Sequence, residues 1–125
     1  MKSYSIYVGL NDSVTRKQMF DTEKYTGILK YICKSYRAAF SFDVIEGGYV
    51  YENGDLEDET SLHITLLNQT EENVNAIAAD LCTFFNQESV LIVESEVKWH
   101  YVKGESDVKD FIASGLENGA DNQNS

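Results

Sequence analysis

Residue types that could perform acid–base chemistry or hold a ligand are few in this sequence. His63 and His100 are the two histidines, and neither has a further ligand residue at a recognised metal-binding spacing. Cys33 and Cys82 lie far apart beside apolar helical stripes, which is typical of small core residues rather than of nucleophiles. No glycine-rich loop opens a helix, as a phosphate site would require. We predict no catalytic residue, no metal and no cofactor, and a protein that is not an enzyme.

Carboxylates are the one reactive type that forms a cluster. They surround Asn53-Gly54, and no Lys or Arg occurs between Arg37 and Lys98 to balance them. The cluster lacks the ligand spacing and the distal glutamate of an EF-hand loop, which disfavours calcium. Charges within a Debye length of about 8 to 10 Å reinforce one another, so the surface should attract a basic partner. The predicted partner-binding residues are Glu52, Asp55, Glu57, Asp58 and Glu59, with Glu71 and Glu72 as a second patch.

Length and charge set limits on the class of protein. The 125 residues suit one domain, and 42% hydrophobic residues are enough for a real core. The net charge of −11 disfavours direct binding to nucleic acid or to an anionic membrane. It favours a protein partner with a basic surface, including a surface that normally holds nucleic acid.

Targeting signals are not evident. The first ten residues contain an apolar run that is too short for a signal peptide, and no later run approaches the roughly 20 apolar residues of a membrane span. We expect a cytoplasmic location and two free thiols.

Hydrophobic periodicity predicts alternating strands and helices. Ser3 to Leu10 alternates as a strand with one buried face, and apolar residues from Tyr25 to Tyr36 recur at helical spacing. Two alternating runs within residues 40–67 face each other across Asn53-Gly54, a strong hairpin signal. Thr70 can cap a second helix that extends to Phe85, and the last strand begins at Ser89.

The order of these elements is βαββαβ, the pattern of ferredoxin-like folds. We predict an α+β domain over residues 1–115, with a four-stranded antiparallel sheet in the order 4-1-3-2 and two helices on one face. A short C-terminal helix is predicted from Asp107 to Ser114, and residues 116–125 should be a disordered tail. The open sheet face would then carry the predicted dimer or ligand residues Tyr7, His63, Trp99 and Tyr101.

Four short stretches resemble a family of small uncharacterised ferredoxin-like proteins of bacteria and their phages. They are Tyr7-Val8-Gly9-Leu10-Asn11, Gly48-Tyr49, Glu59-Thr60-Ser61 and Phe85-Asn86-Gln87-Glu88-Ser89-Val90. The Gln-Glu-Ser-Val element is the most specific of them, and the resemblance covers about Tyr4 to Val97. It implies the fold and a mobile-element setting, and it implies no activity. The chain departs from that family by Tyr49, where Trp is frequent, and by a longer acidic turn.

Three functional hypotheses follow. The leading one is an acidic interaction protein, in a phage setting an inhibitor that mimics nucleic acid and docks on a host nuclease or defence complex such as CRISPR. The alternative is a homodimeric domain that binds a small molecule, or performs modest acid–base chemistry, by Tyr7 and His63. A third is a purely structural accessory subunit. RNA binding is disfavoured because the open-face aromatics lack surrounding lysines and arginines.

Overall fold

The fold is a four-stranded antiparallel sheet with two helices, as the sequence predicts. The computed structural model describes residues 1–104. The elements in order are β1 Lys2–Gly9, α1 Thr22–Ser35, β2 Phe40–Val50, β3 Leu56–Leu67, α2 Glu71–Phe84 and β4 Leu91–Glu96. The predicted C-terminal helix from Asp107 to Ser114 and the predicted tail lie outside the described residues. Within that range the βαββαβ order and the ferredoxin-like class are confirmed.

The sheet has the strand order β2-β3-β1-β4, which is the predicted order read from the other edge. Its register places Tyr7 opposite His63 on one side and opposite Leu91 on the other. Because successive strand residues point to opposite faces, these three side chains share the open face. The other face buries alternate residues of the two central strands against the helices: Tyr4, Ile6, Val8, Leu62, Ile64 and Leu66.

Both helices begin at a side-chain cap, Asp21 for α1 and the predicted Thr70 for α2. The Asp21 side chain accepts a hydrogen bond from the Lys24 amide, and the Thr70 hydroxyl accepts one from the Asn73 amide. Their apolar stripes meet the sheet through side chains that include Leu29, Cys33, Ile77 and Leu81. Burial raises the pKa of the Cys33 thiol to about 11, as expected for a core cysteine. Neither helix among the described residues combines the length and apolar character needed to cross a bilayer.

The hairpin between β2 and β3 continues past the sheet. Val50 pairs with Leu56, so a five-residue connection with Gly54 at φ +94° replaces the two-residue turn that Asn53-Gly54 favours. A one-residue shift would turn one strand over, whereas the observed register keeps Phe42 beside Ile64 on the buried face. From Leu56 to Thr60, β3 pairs only with β2, and we call this extension of the hairpin, residues 46–60, the hairpin arm.

Candidate functional site

A cleft of about 340 Å³ lies where the hairpin arm meets the end of β1 and the connection between α2 and β4. This volume is within the range of small-molecule sites. Four stretches of the chain, two of them from the hairpin arm and its junction with the sheet, supply its walls: Tyr7, Gly9, Gly48, Tyr49, Glu59, Ser61, Gln87, Ser89, Val90 and Leu91. All four stretches that carry the family resemblance contribute residues to these walls.

Glu59 is the charged side chain at the base of the cleft. It is 5% exposed, and one carboxylate oxygen accepts a hydrogen bond from the Asn11 amide at 2.8 Å. Desolvation raises the pKa of Glu59; the Asn11 hydrogen bond opposes this rise and the neighbouring Glu57 charge adds to it. No Lys or Arg within residues 1–104 forms an ion pair with Glu59. The cleft therefore holds a buried carboxyl group that has no cationic partner among residues 1–104.

Gly9 creates the space that Glu59 occupies. It lies at the end of β1, opposite Ser61 of β3. A Cβ atom at this position would overlap the carboxyl group of Glu59. Gly9 is therefore required by close approach, since the carboxyl group passes directly over its Cα.

Tyrosines form the aromatic part of the cleft. The Tyr7 ring stacks on the His63 ring with centroids 4.5 Å apart, which fixes Tyr7 on the open sheet face. Tyr49 comes from the opposite edge strand, and its hydroxyl lies 3.3 Å from the Ser89 hydroxyl. The Tyr51 ring packs edge-on against Tyr49 at 5.0 Å. The hairpin arm thus bends far enough across the sheet to reach the segment that enters β4.

The bend of the hairpin arm is held by the loop after β1. Arg16 forms an ion pair with Asp55 at 2.7 Å, and its guanidinium lies 4.0 Å from the centre of the Tyr51 ring. The Arg16 hydrogen bond lowers the pKa of the exposed Asp55 carboxyl. The Asn11 side-chain amide also donates to the Asp58 carbonyl at 3.2 Å. The loop therefore contacts the hairpin arm at its tip and beside Glu59.

The connection between α2 and β4 closes the third side. Gln87 donates through Nε2 to the Asn11 carbonyl at 2.6 Å and to the Phe85 carbonyl at 3.2 Å. Asn86 donates to the Asp12 carboxylate at 2.6 Å. Asn86 also has φ +51°, a left-handed conformation that Asn tolerates better than most residues. The Phe-Asn-Gln part of the resemblance therefore joins this connection to the loop after β1.

The predicted partner-binding carboxylates divide into two groups. Glu52, Asp55 and Asp58 are exposed at the hairpin tip, and Glu57 is partly exposed. Glu71 and Glu72 are exposed in the first turn of α2. The prediction that Glu59 is a surface contact is wrong, because its side chain is 5% exposed and is covered by the end of β1. Whether the exposed residues bind a partner stays a prediction.

The predicted open-face residues also divide. Tyr7 and His63 lie together, and His63 Nε2 is 3.2 Å from the Ser5 hydroxyl, but only Tyr7 lines the cleft. Trp99 and Tyr101 pack against each other at 5.2 Å, and Tyr101 lines a separate cavity of about 400 Å³ with Phe40 and Thr65 at the other end of the sheet. Across residues 1–104 the structure has no cluster of three or more His, Cys, Asp or Glu side chains that could hold a metal ion.

Similarity to solved structures bears on this site. A phage SAM lyase in complex with S-methyl-5'-thioadenosine has 28% identity and a TM-score of 0.63, over 76% of this chain and 80% of the lyase chain. A phage SAM lyase in the apo state has 24% identity and a TM-score of 0.59, over 80% and 92% of the two chains. CutA1 from Pyrococcus horikoshii has 12% identity and a TM-score of 0.50, over 91% and 96%, and shows the fold alone. No protein-family model and no curated protein matches the sequence.

These similarities correct the prediction that the chain is not an enzyme. The structure with 28% identity is a lyase, and the likeness extends over most of both chains. From the sequence, Glu59 belongs to a charged turn, and the small-molecule alternative centres on Tyr7 and His63, so a cleft around Glu59 is not predicted. The four resemblance stretches were the available signal, since all of them converge on this one place.

Proposed function

We propose that this chain is a lyase that cleaves S-adenosylmethionine, or a closely related sulfonium compound, in the cleft around Glu59. Glu59 would bind and orient the positively charged sulfur. Tyr7 and Tyr49 would supply aromatic contact for the adenosine part and for the sulfonium itself, since cations are attracted to ring faces.

The observation that carries the proposal is a carboxylate at the base of a ligand-sized cleft that has no cationic partner among residues 1–104. An ionised carboxylate without a positive partner is costly to bury. Glu59 is 5% exposed and has the Asn11 amide as its hydrogen-bond donor. A sulfonium ligand would supply the missing positive charge. It would also favour the ionised form of Glu59, against the effect of burial on its pKa.

The similarity to the lyase supports the same chemistry. S-methyl-5'-thioadenosine, the ligand in that complex, is the neutral thioether that remains when the aminobutyrate arm of S-adenosylmethionine departs. A site that holds this product in a related protein is suited to the adenosine and methylthio groups of the substrate. The alternative drawn from sequence, a small-molecule site on the open sheet face, agrees with the position of Tyr7 in the cleft.

The chemistry balances without an added reactant. The bond between sulfur and the aminobutyrate carbon breaks, and its electron pair remains on sulfur. The carbon fragment can be completed by attack of its own carboxylate, which gives a lactone. Alternatively, a base removes a proton from the adjacent carbon, which gives an alkene. Glu59, which lines the cleft, would be that base.

The contribution of Glu59 differs between these two routes. In lactone formation the sulfur loses its charge as the bond breaks, so the carboxylate stabilises bound substrate more than the transition state and acts mainly on KM. In proton removal Glu59 takes part in the transition state, and its loss acts mainly on kcat.

The direct test is to incubate the full chain with S-adenosylmethionine and to quantify S-methyl-5'-thioadenosine and the four-carbon product by mass spectrometry. E59Q keeps the shape of the side chain and removes its charge, and we expect kcat/KM to fall about 10²-fold. The matched control is D58N, the exposed neighbour on the same strand, which should stay within about twofold because surface charges are screened.

The result that contradicts the proposal is absence of S-methyl-5'-thioadenosine with the unmodified chain. Equal losses in E59Q and D58N would also contradict the assignment of Glu59. Binding gives an independent check: neutral S-adenosylhomocysteine should bind more weakly than the sulfonium to the unmodified chain, and E59Q should reduce this preference.

A further inference from the structure

The Gln87 side chain bridges the backbone carbonyls of Asn11 and Phe85, which belong to different segments of the chain. Its side chain is partly buried between α2 and β4, and Nε2 donates to the Asn11 carbonyl at 2.6 Å and to the Phe85 carbonyl at 3.2 Å. Both side-chain amide hydrogens are therefore used for holding backbone. A glutamine with both donors committed to the chain is fixed in one orientation.

Asn11 lies between Gln87 and Glu59. Its carbonyl accepts from Gln87, and its own amide donates to Glu59 at 2.8 Å. Its side chain donates to the carbonyl of Asp58, the residue before Glu59. A peptide segment held at its carbonyl is restrained at its amide too, because both groups are set by the backbone angles of the same residue.

We propose that Gln87 is a positioning residue that acts on Glu59 through the backbone of Asn11. The inference concerns how the Glu59 carboxylate is held in the free protein, and only its consequence for turnover rests on the proposed lyase function. This role explains Gln87, the first residue of the Gln-Glu-Ser-Val element, without requiring that its side chain touch a reacting atom.

The Asn11 amide is the donor that favours the ionised form of Glu59 against the desolvation of the cleft. Other titratable groups near the carboxyl are Glu57 on β3, Tyr49 on β2, Tyr51 in the connection that follows β2, and Tyr7 on β1. None of these is a cation. Arg16 lies over Tyr51 and is paired with Asp55, and it is not among the groups that shift the pKa of Glu59. Loosening the Asn11 amide should therefore raise this pKa further.

The experiment uses Q87M, which preserves length and removes the donors, and Q69M as the matched control. Gln69 is partly exposed at the other end of the sheet, beside the second cavity. Carbon-13 NMR of the Glu59 carboxyl group, titrated in the ligand-free full chain, reports the pKa directly. We expect the midpoint in Q87M to lie above that of the unmodified chain, and Q69M to leave it unchanged. Should Q87M fail to fold, Q87L provides a second variant of similar volume.

An unchanged Glu59 midpoint in Q87M would overturn the inference, and so would equal shifts in Q87M and Q69M. Because the titration needs no substrate, it decides the matter even if the chain shows no lyase activity.

Where the chain is active, kinetics give a further readout. We expect kcat of Q87M to fall about tenfold, since small displacements of a reacting group are costly, and the acidic limb of its pH–rate profile to move to higher pH. A rise in KM alone with an unmoved limb would mean that Gln87 contacts the substrate directly, which overturns the positioning role.

Discussion

Two sets of carboxylates in one hairpin have opposite surroundings. At the tip, Glu52, Asp55 and Asp58 are exposed, and Asp55 is paired with Arg16. At the base of the hairpin arm, Glu59 is 5% exposed and has no cationic partner in the described chain. The density of charge along the sequence does not distinguish Glu59 from the exposed carboxylates near it. Burial makes one of them a candidate for chemistry, whereas the others are solvated.

The difference arises from strand geometry. Glu59, Ser61 and His63 are spaced by two and share the open face of β3, whereas Asp58 points to the opposite side. The bend of the hairpin arm and the end of β1 then cover Glu59. The role of a carboxylate near a turn therefore depends on which strand face it occupies and on what packs over that face. The charges next to it in sequence are a poorer guide.

The largest effect is expected from G9A. The added Cβ would overlap the Glu59 carboxyl group and displace it from the base of the cleft. We expect lyase activity to fall about 10²-fold, as displaced reacting groups cost this much. Gly47 pairs with Glu59 across the hairpin arm, and a Cβ there meets nothing within 4 Å. Steady-state kinetics should therefore show G47A near the unmodified chain; similar losses in both variants would argue against the steric explanation.

E59Q should raise the free energy of unfolding although it lowers lyase activity. The folded-state pKa of Glu59 is raised, so between the ordinary value and the raised value the folded protein binds more protons than the unfolded chain. Stability from this group therefore falls as pH rises through that window, and above it the buried charge is a net cost. E59Q removes this cost. We expect it to unfold with about 1 kcal/mol more free energy at neutral pH, with a smaller gain in acid, as measured by urea denaturation at several pH values. A loss of stability would contradict this explanation.

The Arg16–Asp55 pair should have a smaller effect. Its members are partly exposed, so a double-mutant cycle with R16Q and D55N should give a coupling of about 0.2–1 kcal/mol. The coupling should decrease with added salt because the pair is screened by solvent ions. A coupling that is independent of salt would indicate that the Tyr51 contact, rather than the ion pair, holds the hairpin tip.

Reversing the charge at the exposed hairpin tip should change turnover less than any of the preceding substitutions. E52K combined with D58K should leave kcat/KM within about twofold, because both side chains are exposed. The same variant tests the separate proposal that the tip docks on a basic partner. Pull-down from the native host at low and high salt should recover a partner with the unmodified chain and lose it with the double variant. Equal recovery by both would contradict docking through the tip.

The architecture could be predicted from local patterns, and the cleft could not. Alternation of Tyr4, Ile6 and Val8 marks one buried face, and Thr70 marks a helix start, because these signals lie within a few residues. Glu59, by contrast, is defined by contacts with Gly9 and Asn11, which are far away in sequence. Its burial depends on how far the hairpin arm bends, and no local pattern encodes that distance. The same limit applied to Tyr101, which lies at the opposite end of the sheet from Tyr7.

The hairpin arm should also be a place where local unfolding occurs more readily than in β1. Between Leu56 and Thr60 the β3 backbone of the arm pairs with one neighbouring strand. The β1 strand, which contains Ile6, has a partner strand on each side. Amide hydrogens of the arm should therefore exchange with deuterium faster than those of β1, since local opening breaks fewer contacts. One wall of the cleft is thus made from a part of the sheet that is less protected than β1. A ligand that bridges Tyr49 and Glu59 would slow this exchange, so occupancy could be followed by mass increase without any chemical turnover.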